Sequence, residues 1–290
     1  MPLKPPPKLY PLHKSPLFGI KGLNQLEKVV GHSFAEIQKL LLKNNNYSIW
    51  PNDKGREIEE PIFLMKVLHN RIGDLLSRIE LPEYIHSKKQ RSYITNAIQH
   101  IGSHPVVKTD IRGFYPSTTR QMVYNMFRDT FNCSDDIASC LAHTCCCNNH
   151  LPTGSSLSGR IAYFSAKNMF DDVAVLAHSF NCNLTVYVDD ITVSGGNATK
   201  TLLSKVRAII RQHGLNSVNK KSKTFAPHSS KEITGVIVTK DSIKVPNKRH
   251  LKQWKLEKSL VSCDNDTKQK IQRELRGRKL EAQQILNKNA

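Results

Sequence analysis

The sequence predicts a mixed α/β (α+β) fold, and three observations carry that expectation. The run Leu184-Thr185-Val186-Tyr187-Val188-Asp189-Asp190-Ile191-Thr192-Val193-Ser194-Gly195 reads as a β-hairpin, because strand periodicity puts Leu184, Val186 and Val188 on one face and Thr185, Tyr187 and Asp189 on the other. Pro105-Val106-Val107-Lys108-Thr109-Asp110 is a second strand-like stretch, which breaks through Gly113 and Pro116. Beyond that break Met122, Val123, Met126 and Phe127 recur at helical spacing, with Ser117 to Thr119 as cap candidates. A chain of 290 residues can bury a substantial core, here expected as one α/β body with smaller appended subdomains.

The hairpin tip breaks local rules. A tight turn prefers Asn-Gly or Asp-Gly because positive φ is needed there, and adjacent carboxylates repel. Asp189 and Asp190 nevertheless occupy it, with Asp189 expected to face away from the core, and such violations tend to mark function. Asp110 ends the other strand, so three carboxylates can top two neighbouring strands. That set suits a pair of Mg²⁺ ions, which take oxygen ligands and support in-line phosphoryl or nucleotidyl transfer. Read singly, the residues also fit an acidic surface turn and a turn cap at Asp110.

Charge identifies the partner class. The net charge is +19 and the isoelectric point about 9.7, with Lys and Arg spread along the whole chain, so a polyanion is the expected partner. No apolar stretch approaches membrane-spanning length and no basic amphipathic helix stands out, which favours nucleic acid over a membrane surface. The N-terminal Met1-Pro2-Leu3-Lys4-Pro5-Pro6-Pro7-Lys8 is basic and Pro-rich without an apolar segment, and reads as an extended arm rather than a signal peptide or anchor. Seven cysteines (Cys133, Cys140, Cys145, Cys146, Cys147, Cys182 and Cys263) include no Cys-X-X-Cys pair, and three are consecutive on a segment expected to be helical. They read as small buried residues in a reducing cytoplasm.

Several blocks in order then resemble the reverse transcriptases, most closely the bacterial retron type. Arg56-Glu57-Ile58-Glu59-Glu60-Pro61, with Leu64 and Lys66, resembles a fingers segment, and Asn96-Ala97-Ile98-Gln99-His100 matches the Asn-Ala-X-X-His element of retron enzymes. Asp110-Ile111-Arg112-Gly113-Phe114-Tyr115-Pro116-Ser117 and Leu151-Pro152-Thr153-Gly154-Ser155-Ser156-Leu157-Ser158 resemble the first two palm motifs. Tyr187 to Asp190 is the third, Gly214-Leu215-Asn216 to Lys223-Thr224 the next, and Ile233-Thr234-Gly235 resembles the retron Val-Thr-Gly element. Thr153, Gly159-Arg160, Val188 and Ile233 depart from the commoner residues at their positions, and none removes an acid.

The resemblance implies a right-hand polymerase fold with an antiparallel-sheet palm, fingers and a helical thumb. It divides the chain into a basic arm over 1–20, fingers over 21–104 including the Asn-Ala-X-X-His element, a palm over 105–240 with part of the fingers inserted, and a thumb over 241–290. The implied catalytic and metal residues are Asp110, Asp189 and Asp190, with Ile111 in both the metal and nucleotide sets. Two Mg²⁺ ions are the expected cofactors, with Mn²⁺ able to serve in vitro. Arg56 is expected to contact the incoming triphosphate with Lys54 nearby, although each also fits a solvated surface. Tyr115 would pack beneath the sugar and exclude a 2′-hydroxyl, and Gly154 and Ser155 would meet a nucleotide or template phosphate. Ser158 is the N-cap candidate for the apolar helix through Ile161, Phe164, Phe170, Val173 and Leu176. Lys223 is the candidate general acid for pyrophosphate departure, with Lys220 and Lys221 competing.

The C-terminal stretch from Asp241 carries 13 Lys/Arg against 6 Asp/Glu, in segments expected to be helical over 247–260 and 266–286, with Leu275, Leu280, Ile285 and Leu286 as an approximate apolar stripe. In the family this region grips duplex and recognises a cognate RNA. No RNase H, maturase or endonuclease region is expected, so an effector would be a separate polypeptide. The implied function is RNA-directed DNA polymerisation on a structured non-coding RNA, with dNTPs as substrates, in the bacterial cytoplasm and in antiphage defence. Two rivals remain: a template-independent or protein-primed polymerase of the same superfamily, and a non-catalytic RNA-binding scaffold.

Overall fold

The computed structural model describes residues 8–43, 45–260 and 264–288. Its elements in chain order are α1 (Leu23–Val30), α2 (Phe34–Leu41), β1 (Tyr47–Pro51), β2 (Glu57–Pro61), α3 (Phe63–Ser77), α4 (Tyr93–Ile98), β3 (Val106–Asp110), α5 (Phe114–Ser117), α6 (Arg120–Asn125) and α7 (Asp135–Cys145). There follow α8 (Ser158–Ser165), α9 (Lys167–Ser179), β4 (Asn183–Tyr187), β5 (Asp190–Ser194), α10 (Lys200–Gln212), β6 (Lys223–Phe225), β7 (Lys231–Ile233), β8 (Val236–Val238), β9 (Ile243–Lys244), α11 (Asn247–Ser259) and α12 (Asn265–Leu286). They form two compact units, each threaded by several passes of the chain.

The first unit comprises the described residues up to Pro82, Arg112–Asp172 and Gln212–Leu215. Its core is aliphatic and aromatic, with Leu26, Leu68, Ile72, Leu76, Phe127 and Phe131 all fully buried. Phe131 meets the edge of Phe164 at 5.3 Å, a favourable quadrupole arrangement. Local signals start the helices: Ser33 and Glu36 form a reciprocal capping box on α2, and the Thr119 hydroxyl accepts from the Met122 amide to cap α6. A single π-helical turn over Met126–Thr130 then carries Met126 and Phe127 into the core.

Three expectations are corrected in this unit. The helix expected through Ile161 to Leu176 is two helices, α8 and α9, separated at Ala166. Ser158 is the first residue of α8 rather than its cap, because its hydroxyl donates to the Pro152 carbonyl at 2.6 Å. Of the three consecutive cysteines only Cys145 is helical; Cys146 is extended, and Cys147 pairs with His150 across an Asn148-Asn149 turn whose residues both have positive φ, 47° and 67°. Cys133, Cys140, Cys145, Cys146, Cys147 and Cys182 are free thiols, and burial pushes Cys146 and Cys147 up to about 12. Cys263, like the Pro-rich start, lies outside the described residues.

The second unit comprises Glu83–Ile111, Val173–Arg211 and the described residues from Asn216 onward. At its centre is a four-stranded antiparallel sheet in the order β4-β5-β3-β6. The register sets Asp110 opposite Asp190 and Tyr187 opposite Asp190, so the acids gather at one end. Alternation places Val106, Lys108 and Asp110 on the same face as Asp190, Thr192 and Ser194. That face is not solvated along its length: Thr185, Thr192 and Ser194 are buried, and Val106 packs in one cluster with Ile94 and Ala97 of α4 and with Ile233, Val236 and Val238. The alternation expected for the hairpin therefore holds from Leu184 to Tyr187, whereas Val188 and Asp189 belong to its turn, and the polar face lies under other elements.

A smaller sheet, β7-β8-β9, carries the Ile233-Thr234-Gly235 turn, in which Thr234 and Gly235 have φ of 44° and 78°. The Thr234 hydroxyl donates to the Tyr93 carbonyl of α4 at 2.8 Å. Only part of the expected α12 stripe is buried: Leu275 and Ile285 are inside, while Leu280 and Leu286 are exposed. Arg249 of α11 pairs with Glu281 of α12 at 2.8 Å and lies over the Tyr93 ring. Residues 83–104, expected with the fingers, pack in the unit that holds the four-stranded sheet, because α4 contributes to its core.

Candidate active site

The hairpin between β4 and β5 closes with Tyr187 opposite Asp190, leaving Val188 and Asp189 as its two turn residues. Val188 supplies the positive φ, 58°, that such a turn requires. A β-branched residue there costs about 1–3 kcal/mol and persists only where the surroundings over-determine the backbone. They do so here. The Ile111 amide donates to the Asp189 carbonyl at 3.0 Å, and the Val218 amide donates to the Asp110 carbonyl at 2.8 Å, fixing the end of β3 against the tip.

These constraints bring Asp110, Asp189 and Asp190 together, with one carboxylate oxygen from each within 4.8 Å of the others. Asp110 is 4% exposed and its neighbours are half-buried. Burial, then the charges of Asp110 and Asp190, push the Asp189 carboxyl up to about 6. Burial also raises Asp190, against the pull of Lys108. Three mutually repelling carboxylates, offering only hard oxygen donors, fit a hard divalent cation such as Mg²⁺.

The lysine beside them is Lys221, whose Nζ lies 2.6 Å from the Asp110 Oδ2. Burial works against its charge, but the hydrogen bond to Asp110 and the field of all three carboxylates hold its pKa above the ordinary value. Lys223 stands one step along on β6, opposite Lys108. Lys108 itself is a residue the sequence reading overlooked: it precedes Asp110 by two positions, shares its face, and is diagonal to Asp190 in the register. Counting back in twos from Asp110 would have found it. Ile111 is fully buried, with its amide committed to the turn.

The remaining expected residues belong to the first unit. Lys54 and Arg56 lie in the β1–β2 turn, where the Asn52 Oδ1 accepts from both of their amides at 2.9 and 3.0 Å and their side chains are exposed. Tyr115 stacks on Phe114, and its hydroxyl closely approaches Gly159, where an added Cβ would sit 3.3 Å away. The Ser155 hydroxyl is engaged by the His69 Nδ1 at 2.7 Å, while the His69 Nε2 donates to the Thr144 carbonyl at 2.7 Å. With Nε2 carrying the proton, Nδ1 accepts from Ser155, and burial holds this imidazole neutral by lowering its pKa to about 4. Ser155 thus anchors the loop to α3.

Gly154 has a steric reason. Its amide donates to the Glu59 carbonyl at 3.1 Å, and a methyl group added at its Cα would lie 2.8 Å from that oxygen and 3.0 Å from the Glu60 nitrogen. Gly154→Ala is therefore expected to displace the loop from β2 and destabilise the protein by about 1–3 kcal/mol. Urea unfolding would read this; an unchanged midpoint and slope would contradict the close approach.

An antiparallel sheet that gathers three carboxylates at a hairpin tip and an adjacent strand end, with helices packed about it, is the frame of a right-hand polymerase. The comparisons agree. A family model described as reverse transcriptase (RNA-dependent DNA polymerase) matches residues 43–246, and the chain belongs to that family. Its relatives are of the retron type. The chain is 31% identical to the Retron Se72 reverse transcriptase of Salmonella heidelberg (strain 579083-10) over 199 residues, covering 65% of this chain and 51% of the relative. It is 26% identical to the Retron Ec86 reverse transcriptase of Escherichia coli over 204 residues, covering 69% and 63%. The matches thus span less than two thirds of those relatives' length. Among solved structures, telomerase from Candida albicans in complex with a TWJ fragment of telomeric RNA aligns over 71% of this chain and 47% of that one, at a TM-score of 0.51 and 11% identity, which supports the shared fold.

Proposed function

We propose that this chain is an RNA-directed DNA polymerase that copies a structured non-coding RNA into DNA. The observation that carries the reading is the convergence of Asp110 with Asp189 and Asp190 on a family-matched sheet. In this reading 21–104 serve as fingers, with 83–104 packing in the unit of the four-stranded sheet, 105–240 as palm with part of the fingers inserted, and 241–290 as thumb. Two Mg²⁺ ions held by Asp110, Asp189 and Asp190, with Ile111 beside them, would supply activation of the primer hydroxyl and charge neutralisation at the triphosphate.

In the same reading, groups of the first unit carry roles of their own. Arg56 and Lys54 offer exposed cations for the triphosphate, Tyr115 supplies a ring to exclude a 2′-hydroxyl, and the Gly154 loop presents backbone close to β2. The general-acid role expected of Lys223 falls better to Lys221, whose ammonium already stands among the carboxylates and can donate a proton to departing pyrophosphate. Lys221→Ala is expected to lower kcat by about 10²-fold, and Lys223→Ala by far less. The reverse order in single-turnover incorporation would return the role to Lys223.

A positive chain and a basic C-terminal helix pair suit an A-like duplex held through its phosphates. On α11 the exposed Leu251 and Trp254 stand among Lys252, Lys255 and Lys258, an apolar strip in a cationic surround. The retron resemblance extends this reading to priming from a 2′-hydroxyl of the cognate RNA, a branched RNA–DNA product, work in antiphage defence with a separately encoded effector, and a bacterial cytoplasmic setting. No helix among the described residues is long and apolar enough to cross a membrane. The test is to sequence DNA made with and without added RNA template. Product that mirrors the template supports the reading, and untemplated product or none overturns it.

A further inference from the structure

The hairpin that presents Asp189 and Asp190 is strained at its tip, and its strands are joined by more than their backbone ladder. The His100 imidazole is fully buried, and its two nitrogens reach the two strands separately. Nδ1 lies 2.7 Å from the Ser194 hydroxyl on β5, and Nε2 lies 2.7 Å from the Thr185 hydroxyl on β4. All three side chains are at most 2% exposed. Both hydroxyls stand on the face of the sheet that carries Asp110 and Asp190, behind the closing pair Tyr187 and Asp190. A neutral imidazole donates with one nitrogen and accepts with the other, and each hydroxyl can take either complement, so both bonds can be made at once. Burial keeps the ring neutral, with its pKa lowered to about 3.

The flanks of the hairpin are fastened as well. The Val186 amide donates to the Tyr84 carbonyl and the His86 amide donates to the Val186 carbonyl, both at 2.8 Å, which secures the outer edge of β4. The Asn183 amide nitrogen donates to the Gln99 carbonyl at 3.0 Å, beside His100. A strand that slips by one residue turns every side chain to the opposite face, and the Val188 conformation favours relaxation of the turn. The clamp opposes both.

We propose that His100 is a positioning residue for the candidate metal site, its imidazole locking β4 to β5 through Thr185 and Ser194 so that Asp189 and Asp190 meet Asp110 in one cation-binding geometry. The proposal rests on the reading of these three acids as metal ligands. It gives the histidine of the Asn-Ala-X-X-His element a task inside the catalytic body, where its side chain is fully buried.

The experiment is Mn²⁺ binding followed by EPR, together with kcat and RNA affinity, on the full chain as wild type, His100→Ala, His100→Gln, Asp189→Asn and Val238→Ala. His100→Ala is expected to weaken Mn²⁺ binding by about 10- to 100-fold and lower kcat in step, with RNA affinity unchanged. His100→Gln, whose amide can also donate and accept, should recover part of the loss. Val238→Ala removes methyl groups from the neighbouring apolar cluster of Ile94, Ala97 and Val106 and controls for destabilisation alone; it should leave Mn²⁺ affinity intact. Should His100→Ala not fold, Thr185→Val and Ser194→Ala each remove one leg of the clamp and are expected to give the same direction of change. Unchanged Mn²⁺ affinity in the folded clamp variants would overturn the proposal, as would an equal loss in Val238→Ala. Failure of the underlying reading has a different signature: Asp189→Asn would bind Mn²⁺ as well as wild type.

Discussion

Asp189→Asn is expected to reduce dNTP incorporation by about 10³-fold or more while RNA affinity stays nearly constant. Removing one ligand forfeits several kcal/mol of charge stabilisation in phosphoryl transfer, and about 4 kcal/mol corresponds to that factor. One neutralised carboxylate among 24 acidic residues on a chain of +19 barely alters long-range attraction for a polyanion. The same substitution should stabilise the metal-free protein by about 1–3 kcal/mol, because it removes a half-buried charge from between two others.

The pH dependence gives an independent check. In the folded metal-free protein the Asp189 pKa of about 6 exceeds its ordinary 3.8. The contribution of this group to stability is therefore fully present below pH about 4 and is lost as pH rises through about 6. His69 and His100 act in the opposite sense: their folded pKa values, about 4 and about 3, lie below the ordinary 6.5, so they withdraw stability as pH falls. The difference between wild type and Asp189→Asn in EDTA isolates the aspartate. It should grow across pH 4–6 and shrink when Mg²⁺ is restored. Full activity in the variant, or a pH-independent difference, would sink the assignment.

The second large effect is in salt. A protein that neutralises six to ten phosphates loses about 10³- to 10⁵-fold in affinity between roughly 50 and 200 mM monovalent salt, through the return of counterions to the nucleic acid. With +19 and exposed Lys252, Lys255 and Lys258 along α11, this chain is expected to fall in that range for duplex RNA–DNA. Lys248 pairs with Glu232, Lys252 with Glu274 and Lys279 with Glu257, so part of the positive charge is internally compensated. The logarithmic slope of affinity against salt counts what remains. A slope near zero would show that the charge serves some purpose other than phosphate binding.

Much of this site was legible in the sequence because its signals are local. A strand pattern ending in Asp110 and a hairpin pattern ending in Asp189-Asp190 need only period-two alternation, and the register then sets Asp110 opposite Asp190. What escaped depends on pairing between distant segments. Lys221 was named only as a competitor of Lys223, and it reaches Asp110 because residues 217–218 return beside the end of β3, a contact that no local pattern announces. His100 could be read as part of a motif, but its work required knowing that Thr185 and Ser194 point to one face of a covered sheet. Ser158 was misjudged for the opposite reason: a hydroxyl near a helix start suggests a cap, and a tertiary partner, the Pro152 carbonyl, had claimed it.

Ile285, near the end of α12, is fully buried in the same apolar cluster as Val106, which lies on the strand that ends in Asp110. The last helix is thus a structural plug for the body that bears the acids. Shortened chains made to probe duplex gripping would uncover that cluster and weaken the sheet beneath the reactive end. Point changes on the outer surface of α11, at Leu251 or Trp254, leave the plug in place and so separate grip from foundation.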